Sequence, residues 1–244
     1  MTDPPHMTIL FDNEPGIQGL TSQWGFAALI QVADRTILFD TGSNGRVLLT
    51  NMAALGIAAD SVDLLFLSHP HWDHMGGLDS VLEVNPRASV VLHEGFSKHL
   101  IHDLRPLCGE LVLVGAEPRP VAPGIYSTGM FASQPPEQAL VIEAGGVTAA
   151  VSGCAHPGME RIVACAATLL GNKIDWAIGG FHLMHADAAG IANSIRSLQD
   201  LGVAYVVPTH CTGDAARAAF RRAFGAHCID GGVGREIRLV QRQD

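Results

Sequence analysis

One ten-residue stretch constrains this chain more than any other: Ser68-His69-Pro70-His71-Trp72-Asp73-His74-Met75-Gly76-Gly77. It follows an apolar run, 62–67, that reads as a buried strand. In extended backbone His69 and His71 are two apart and point the same way, offering two imidazoles to one ion. Asp73 and His74 come after the point where the chain must turn, so they can face a second ion close by. Gly76 and Gly77 let the backbone turn sharply. A lone pair of histidines would fit a solvated polar loop, but four ligand-type side chains in six positions form a far more specific pattern. Zinc takes about four ligands, so this cluster needs partners from elsewhere. Three later histidines stand ready: His156 after the apolar run 147–151, His182 after 176–178 and His210 after 203–207. Each follows a strand-like segment, where a loop can hold a side chain over a sheet edge.

The rest of the chain has the elements to build such edges. Strand-like runs at 8–11, 26–32 and 36–39 precede a helix-compatible stretch at 45–55, which ends at Gly56. A helix near 78–83, a strand at 89–92, a polar helix at 96–104 and a strand at 111–114 complete the first half. Residues 115–124 hold three prolines and read as a surface connection within one domain. Strands at 139–143 and 147–151 flank Gly145-Gly146; helices at 159–170, 187–201 and 214–224 then alternate with strands at 176–178 and 203–207. Hairpins early in each half, followed by alternating strand and helix, predict an α/β chain with two sheets face to face and helices outside. The expected organisation is one domain, 1–244, with pseudo-halves of about 1–115 and 124–244.

Composition narrows the function. The 15 Lys and Arg against 24 Asp and Glu leave a charge of −9, which excludes a general nucleic-acid binder. At 48% hydrophobic and 16% charged the chain has the means to pack a core. No apolar run approaches the roughly 18 residues of a membrane span, and no basic leader opens the chain, so a soluble, cytoplasmic protein is expected. Five cysteines at 108, 154, 165, 211 and 228 include no C-x-x-C pair, which fits a reducing compartment. Cys154 could bind a metal as thiolate but reads first as a small apolar packing residue, and Cys211, directly after a candidate ligand, is expected to point away. The 12 histidines, against 2 Tyr and 3 Trp, are the compositional signature of metal or proton chemistry.

These motifs resemble the metallo-β-lactamase superfamily, whose H-x-H-x-D-H signature is matched by residues 69 to 74. Leu38-Phe39-Asp40-Thr41-Gly42 is similar to that family's first motif, in which the Asp braces the metal loop without ligating. Phe39-Asp40-Thr41-Gly42 also spells an aspartic-protease motif, but that chemistry needs two copies and only one is present. Asp12-Asn13, Gly153-Cys154, His156-Pro157-Gly158, Gly179-Gly180-Phe181-His182-Leu183 and His210-Cys211-Thr212-Gly213 resemble one branch. That branch contains the archaeal dihydropterin ribofuranosylaminobenzene phosphate synthase and many bacterial relatives.

The resemblance implies an αβ/βα four-layer sandwich of two mixed sheets. It implies two divalent ions, zinc first with iron or manganese as alternatives, held by His69, His71 and His156 and by Asp73, His74 and His210. The departure is at the bridge. Most dinuclear members place an Asp after the strand that here ends near Gly179, and this chain has His182 there, as a terminal ligand or an acid/base. With Asp73 as the only anionic ligand, two divalent ions keep a charge of +3, which favours a small anionic substrate. The implied activity is a metal-dependent hydrolase directing a metal-bound hydroxide at a phosphorylated or ester substrate, with Asp73 or His182 relaying the proton. The alternatives are a transferase displacing pyrophosphate in a pterin-like condensation, and a metal-dependent ligand sensor without turnover. His93, Ser43 and Asn44 are candidate substrate contacts; Trp24 and Trp72 read as core or rim packing, and His185 as a surface residue. Neither nucleic acid nor membrane is expected as a partner, and the oligomeric state stays open.

Overall fold

A computed structural model describes residues 4–242. From the amino end, β1 (His6–Phe11), β2 (Ala27–Val32) and β3 (Arg35–Phe39) run antiparallel. The chain continues through α1 (Gly45–Ala54), β4 (Leu64–Phe66), α2 (Trp72–Met75), α3 (Leu78–Val84), β5 (Ser89–His93), α4 (Lys98–Leu104) and β6 (Glu110–Val114). The crossovers make β3 to β6 parallel neighbours. The second sheet repeats the plan. There β7 (Arg119–Ala122), β8 (Ile125–Ser127), β9 (Leu140–Ala144) and β10 (Val147–Ser152) are antiparallel. Next come α5 (Met159–Leu170), β11 (Trp176–Gly180), α6 (Ala188–Asp200), β12 (Tyr205–Thr209) and α7 (Asp214–Phe224), with β10, β11 and β12 parallel. A last short strand, β13 (Glu236–Arg238), returns to the first sheet beside β1. The orders are β13-β1-β2-β3-β4-β5-β6 and β12-β11-β10-β9-β8-β7.

The period-two rule of strands explains the layers. Ile37 and Phe39 of β3, Leu64 and Phe66 of β4, and Ala149 and Val151 of β10 point into the core between the sheets. The intervening Leu38 and Leu65 face α1 and α3 outside, where Leu48, Met52 and Val81 cover them. Ala150 faces the other outer layer, with Ile162 and Val163 of α5. Phe39 and Phe66 stack with ring centroids 5.6 Å apart at the centre. Buried on both faces, these parallel strands carry continuous apolar runs, and that is why they were visible as runs.

One expectation needs correction. Residues 115–124 are not a bare connection, because β7 lies within them and pairs with β8. Pro120 obscured it, yet β7 ends its sheet, and an edge strand tolerates a residue without an N–H. β13, three residues long and so too short to show a period, joins the end of the chain to the first sheet by pairing Ile237 with Met7.

Candidate metal centre

Every crossover returns the chain to the same rim, so the carboxyl ends of the parallel strands from both sheets converge there, the usual place for a site in such sheets. Asp40 follows β3, Ser68 and His69 follow β4, His156 follows β10, His182 follows β11, and His210 follows β12. Asp40, Ala155, His182 and His210 all sit at positive φ, between 48° and 58°. Non-glycine residues seldom adopt this conformation, and its concentration at one rim marks a place where function sets backbone geometry.

The first group is His69, His71 and His156, whose ligand atoms lie within 4.8 Å of one another. His69 Nδ1 donates to Ser68 Oγ at 2.8 Å, and Ser68 Oγ donates onward to Asp40 Oδ2 at 2.7 Å, so His69 Nε2 is left with its lone pair inward. That nitrogen stands 3.1 Å from His71 Nδ1. His156 Nε2 is buried with no hydrogen-bond partner. The second group is Asp73, His74 and His210. His74 Nδ1 donates to Asp40 Oδ2 at 2.7 Å and His210 Nδ1 to Asn13 Oδ1 at 2.9 Å, which turns both Nε2 atoms toward each other at 3.3 Å. Asp73 Oδ2 is 3.7 Å and 3.4 Å from those nitrogens.

These gaps suit ions better than hydrogen bonds. Two nitrogens bound to one tetrahedral zinc at about 2.0–2.1 Å lie about 3.3 Å apart. With both Nδ1 protons assigned, the facing Nε2 atoms of His74 and His210 have no proton to share. Burial, together with the neighbouring imidazoles, pulls His69 well below the usual histidine range, and burial with His210 pulls His74 to about 3. Burial and His182 do the same to His156, also to about 3. Such rings are neutral and ready to ligate. Burial alone would raise Asp73, but the His210 and His74 imidazoles at 3.4 and 3.7 Å outweigh it, and the net direction is downward, toward the ionised carboxylate that a cation takes. The donor set and the unpartnered His156 Nε2 thus fit divalent cations.

Supporting residues tie these loops together. Asp40 accepts from Ser68 N, Ser68 Oγ and His74 Nδ1, so one buried carboxylate holds a ligand-type residue of each group. Gly153 permits this closeness: a Cβ there would lie 2.2 Å from Ser68 Oγ and 2.9 Å from Asp40 Oδ2. Two residues escaped the sequence reading. Glu137, fully buried, accepts from the backbone N–H groups of Cys154, Ala155 and His156 at 3.0, 2.9 and 2.7 Å. Gln138 donates through Nε2 to Leu67 O at 2.8 Å and through its backbone N to Ser68 O at 2.9 Å. Together they strap the His69 loop of one sheet to the His156 loop of the other. In the sequence they sit in a proline-containing polar segment, and only an acidic residue with no nearby basic partner hinted at more. Asp12 likewise anchors His210, accepting from its backbone N at 3.3 Å and from Gly232 N at 3.2 Å.

The other candidates separate. His182 reaches the centre, its ring 4.4 Å from that of His156, and burial's downward pull on it is outweighed by the Cys211 sulfur. With Trp24, Met184, His185 and Cys211 it lines a cavity of about 360 Å³. Trp24 is therefore a rim residue, its ring 4.8 Å from that of His210, and His185 belongs to the cleft. His93 is fully buried at the end of β5, its ring 4.7 Å from Phe96 and its Nε2 without a hydrogen-bond partner among the described residues. It lies on the same face of β5 as Val91, its Nδ1 accepting from Gly95 N at 3.1 Å. Asn44 is exposed, and its Oδ1 caps α1 by accepting from Arg46 N and Val47 N at 3.1 and 3.3 Å. Ser43 is half-buried, its backbone pressed against Gly76 and Gly25.

A family model described as the metallo-beta-lactamase superfamily matches residues 25–210, which spans this rim from before Asp40 to His210. The chain belongs to that superfamily. It is 31% identical over 252 residues to the 7,8-dihydropterin-6-methyl-4-(beta-D-ribofuranosyl)-aminobenzene-5'-phosphate synthase of Methanocaldococcus jannaschii, with 83% of this chain and 85% of that one covered. Among solved structures it is similar to Tm1679, a metal-dependent hydrolase of the beta-lactamase superfamily, with a TM-score of 0.79 and 25% identity over 96% of this chain and 99% of that one. The metallo-beta-lactamase fold protein YhfI from Bacillus subtilis shares the fold at a TM-score of 0.72 and 14% identity, over 96% and 100% of the two chains. The two-sheet sandwich described above is the metallo-β-lactamase fold. No helix among the described residues is long and apolar enough to cross a membrane.

Proposed function

We propose that this chain is a metal-dependent hydrolase of a small anionic substrate carrying a phosphate or an ester. The observation that supports this reading is the pair of facing groups, His69-His71-His156 and Asp73-His74-His210, with ion-sized gaps and an unpartnered nitrogen. Two divalent ions, zinc first, would supply a Lewis acid and a water acidic enough to serve as hydroxide near neutral pH. The chain's own residues do the rest. Asp73, ionised beside His210 and His74, passes a proton on at the second group's side without keeping it. His182 stands in the cleft, where it holds a proton for the leaving group. With Asp73 as the only carboxylate in either group, two divalent ions leave an excess of +3, so phosphate and pyrophosphate should compete with substrate.

A second reading, a transferase displacing pyrophosphate, is favoured by the 31% identity to a synthase. It is also favoured by the apolar shelf of Trp24 and Met184, 41% and 40% exposed beside His182, which could stack an aromatic ring. Against it, an exposed shelf does not exclude water, and transfer needs water excluded. The test is turnover of phosphomonoesters, phosphodiesters, carboxylic esters and a phosphoribosyl pyrophosphate by the zinc-loaded protein, with and without an aromatic amine. Chelation should abolish turnover and zinc should restore it. Pyrophosphate release that requires the amine establishes the transferase reading instead. Binding without any turnover returns the chain to a ligand sensor and sinks the enzyme reading.

A further inference from the structure

The second group has a missing ligand. Asp73, His74 and His210 are three donors, the family's bridging carboxylate is replaced by His182, and a zinc shell takes about four. The structure fills the gap with a cysteine. Cys154, 3% exposed, places its sulfur 3.3 Å from His74 Nε2. That sulfur lies within 4.8 Å of the ligand atoms of His69 and His74, of His156 and His182, and of His210 and Cys211. It therefore faces both groups at once. A zinc bound to sulfur at about 2.3 Å and nitrogen at about 2.0–2.1 Å separates them by about 3.6 Å, close to the gap seen. A small apolar packing residue would be surrounded by methyl groups; this sulfur is surrounded by ring nitrogens.

We propose that Cys154, as thiolate, is the anionic ligand that replaces the bridging carboxylate, completing the second ion's shell on the side facing the first. This rests on the metal-dependent reading above. The backbone is built to hold it there. Glu137 fixes the N–H groups of Cys154, Ala155 and His156, and Gly153 lets the end of β10 press against Ser68 and Asp40. Cys211 is placed differently: its thiol donates to Cys154 O at 3.5 Å, and its sulfur shares a ligand-sized cluster with Cys154 and His210 alone. The thiolate lowers the charge of two divalent ions and Asp73 from +3 to +2, the same value that Asp73 with a bridging carboxylate would leave. The remaining +2 still favours an anionic substrate, less strongly than +3 would.

Cobalt loading of the full chain tests this without reference to turnover. In the wild-type protein cobalt should give visible d–d bands together with a near-ultraviolet sulfur-to-cobalt charge-transfer band. Cys154→Ser should lose the charge-transfer band and keep the visible bands, while Cys211→Ser should keep both. A charge-transfer band that survives in Cys154→Ser, or is lost only in Cys211→Ser, overturns the assignment, as do visible bands without any charge-transfer band in the wild type. In those cases the metal reading stands; absence of cobalt uptake by the wild type removes both. Should Cys154→Ser not fold, X-ray absorption of the zinc-loaded wild type decides. A sulfur shell at about 2.3 Å is expected, retained in Cys211→Ser, and a shell of nitrogen and oxygen alone at about 2.0–2.2 Å overturns it.

Discussion

Glu137 lies 68 positions from His69 and touches no candidate metal atom, yet its carboxylate accepts three backbone N–H groups from the loop that carries His156. Replacing it by Gln keeps the shape and changes one oxygen into an NH₂ group. The amide oxygen can stay with Cys154 N and Ala155 N, which share Oε1; the NH₂ then faces His156 N, whose bond is the shortest at 2.7 Å. A hydrogen bond to a charged group contributes about 1.5–3 kcal/mol, and a buried donor left unpaired costs about 1–3 kcal/mol. The two remaining bonds also lose their charge assistance. A destabilisation of about 2–4 kcal/mol follows, or about 5–15 °C in Tm for a chain of this size. The second effect is local: His156 loses its anchor, and weakening a ligand's supporting partner costs about 10–100-fold in metal affinity. Both are measured at pH 8, above the value of about 7 to which burial pushes this carboxyl against its three backbone bonds. Thermal melts of the metal-free protein read the first effect, and zinc competition against a chromophoric chelator reads the second. A Glu137→Gln protein that melts with the wild type and binds zinc equally tightly would show that the loop is held by something else.

Further outcomes follow from the same geometry. His71→Ala should lose metal and activity together, whereas His182→Ala should retain the ion of the His69-His71-His156 group and lose rate; metal analysis beside turnover separates them, and full activity in His182→Ala refutes its role. Asp40→Asn removes an oxygen shared by Ser68 and His74, so zinc affinity should fall about 10–100-fold by chelator competition. Gly153→Ala drives a methyl to 2.2 Å from Ser68 Oγ, and both Tm and metal content should drop; a Tm within about 1 °C of wild type would show that the strand end can yield.

The sandwich was legible because its central strands are buried on both faces and so appear as apolar runs bounded by glycine and polar turns, as at 62–67, 147–151 and 203–207. β7 and β13 were not: one contains a proline at a sheet edge, and the other is three residues long. In the site, the ligand-type residues close together between His69 and His74 were visible as a motif, and His156 and His210 as histidines following strands. Glu137 and Gln138 were invisible because their value lies in the two loops they join, 17 to 71 positions away in sequence. The surroundings of His93 and Asn44 were equally illegible: both stand at element ends, and only the fold shows that one is fully buried and that the other caps a helix.

Local order along the chain was enough to determine which side chains carry the chemistry and that they hang from strand ends. Period-two alternation and the spacing of ligand-type residues are properties of neighbours, and neighbours are what a sequence records. Which atoms meet was decided only by the tertiary fold. Two sheets pressed at one rim bring positions 40, 69, 137, 154 and 210 into mutual reach, and in doing so turn a cysteine that reads as packing toward the histidine nitrogens. Distances across that rim depend on how the sheets pack, and no stretch of sequence contains both sides of the contact.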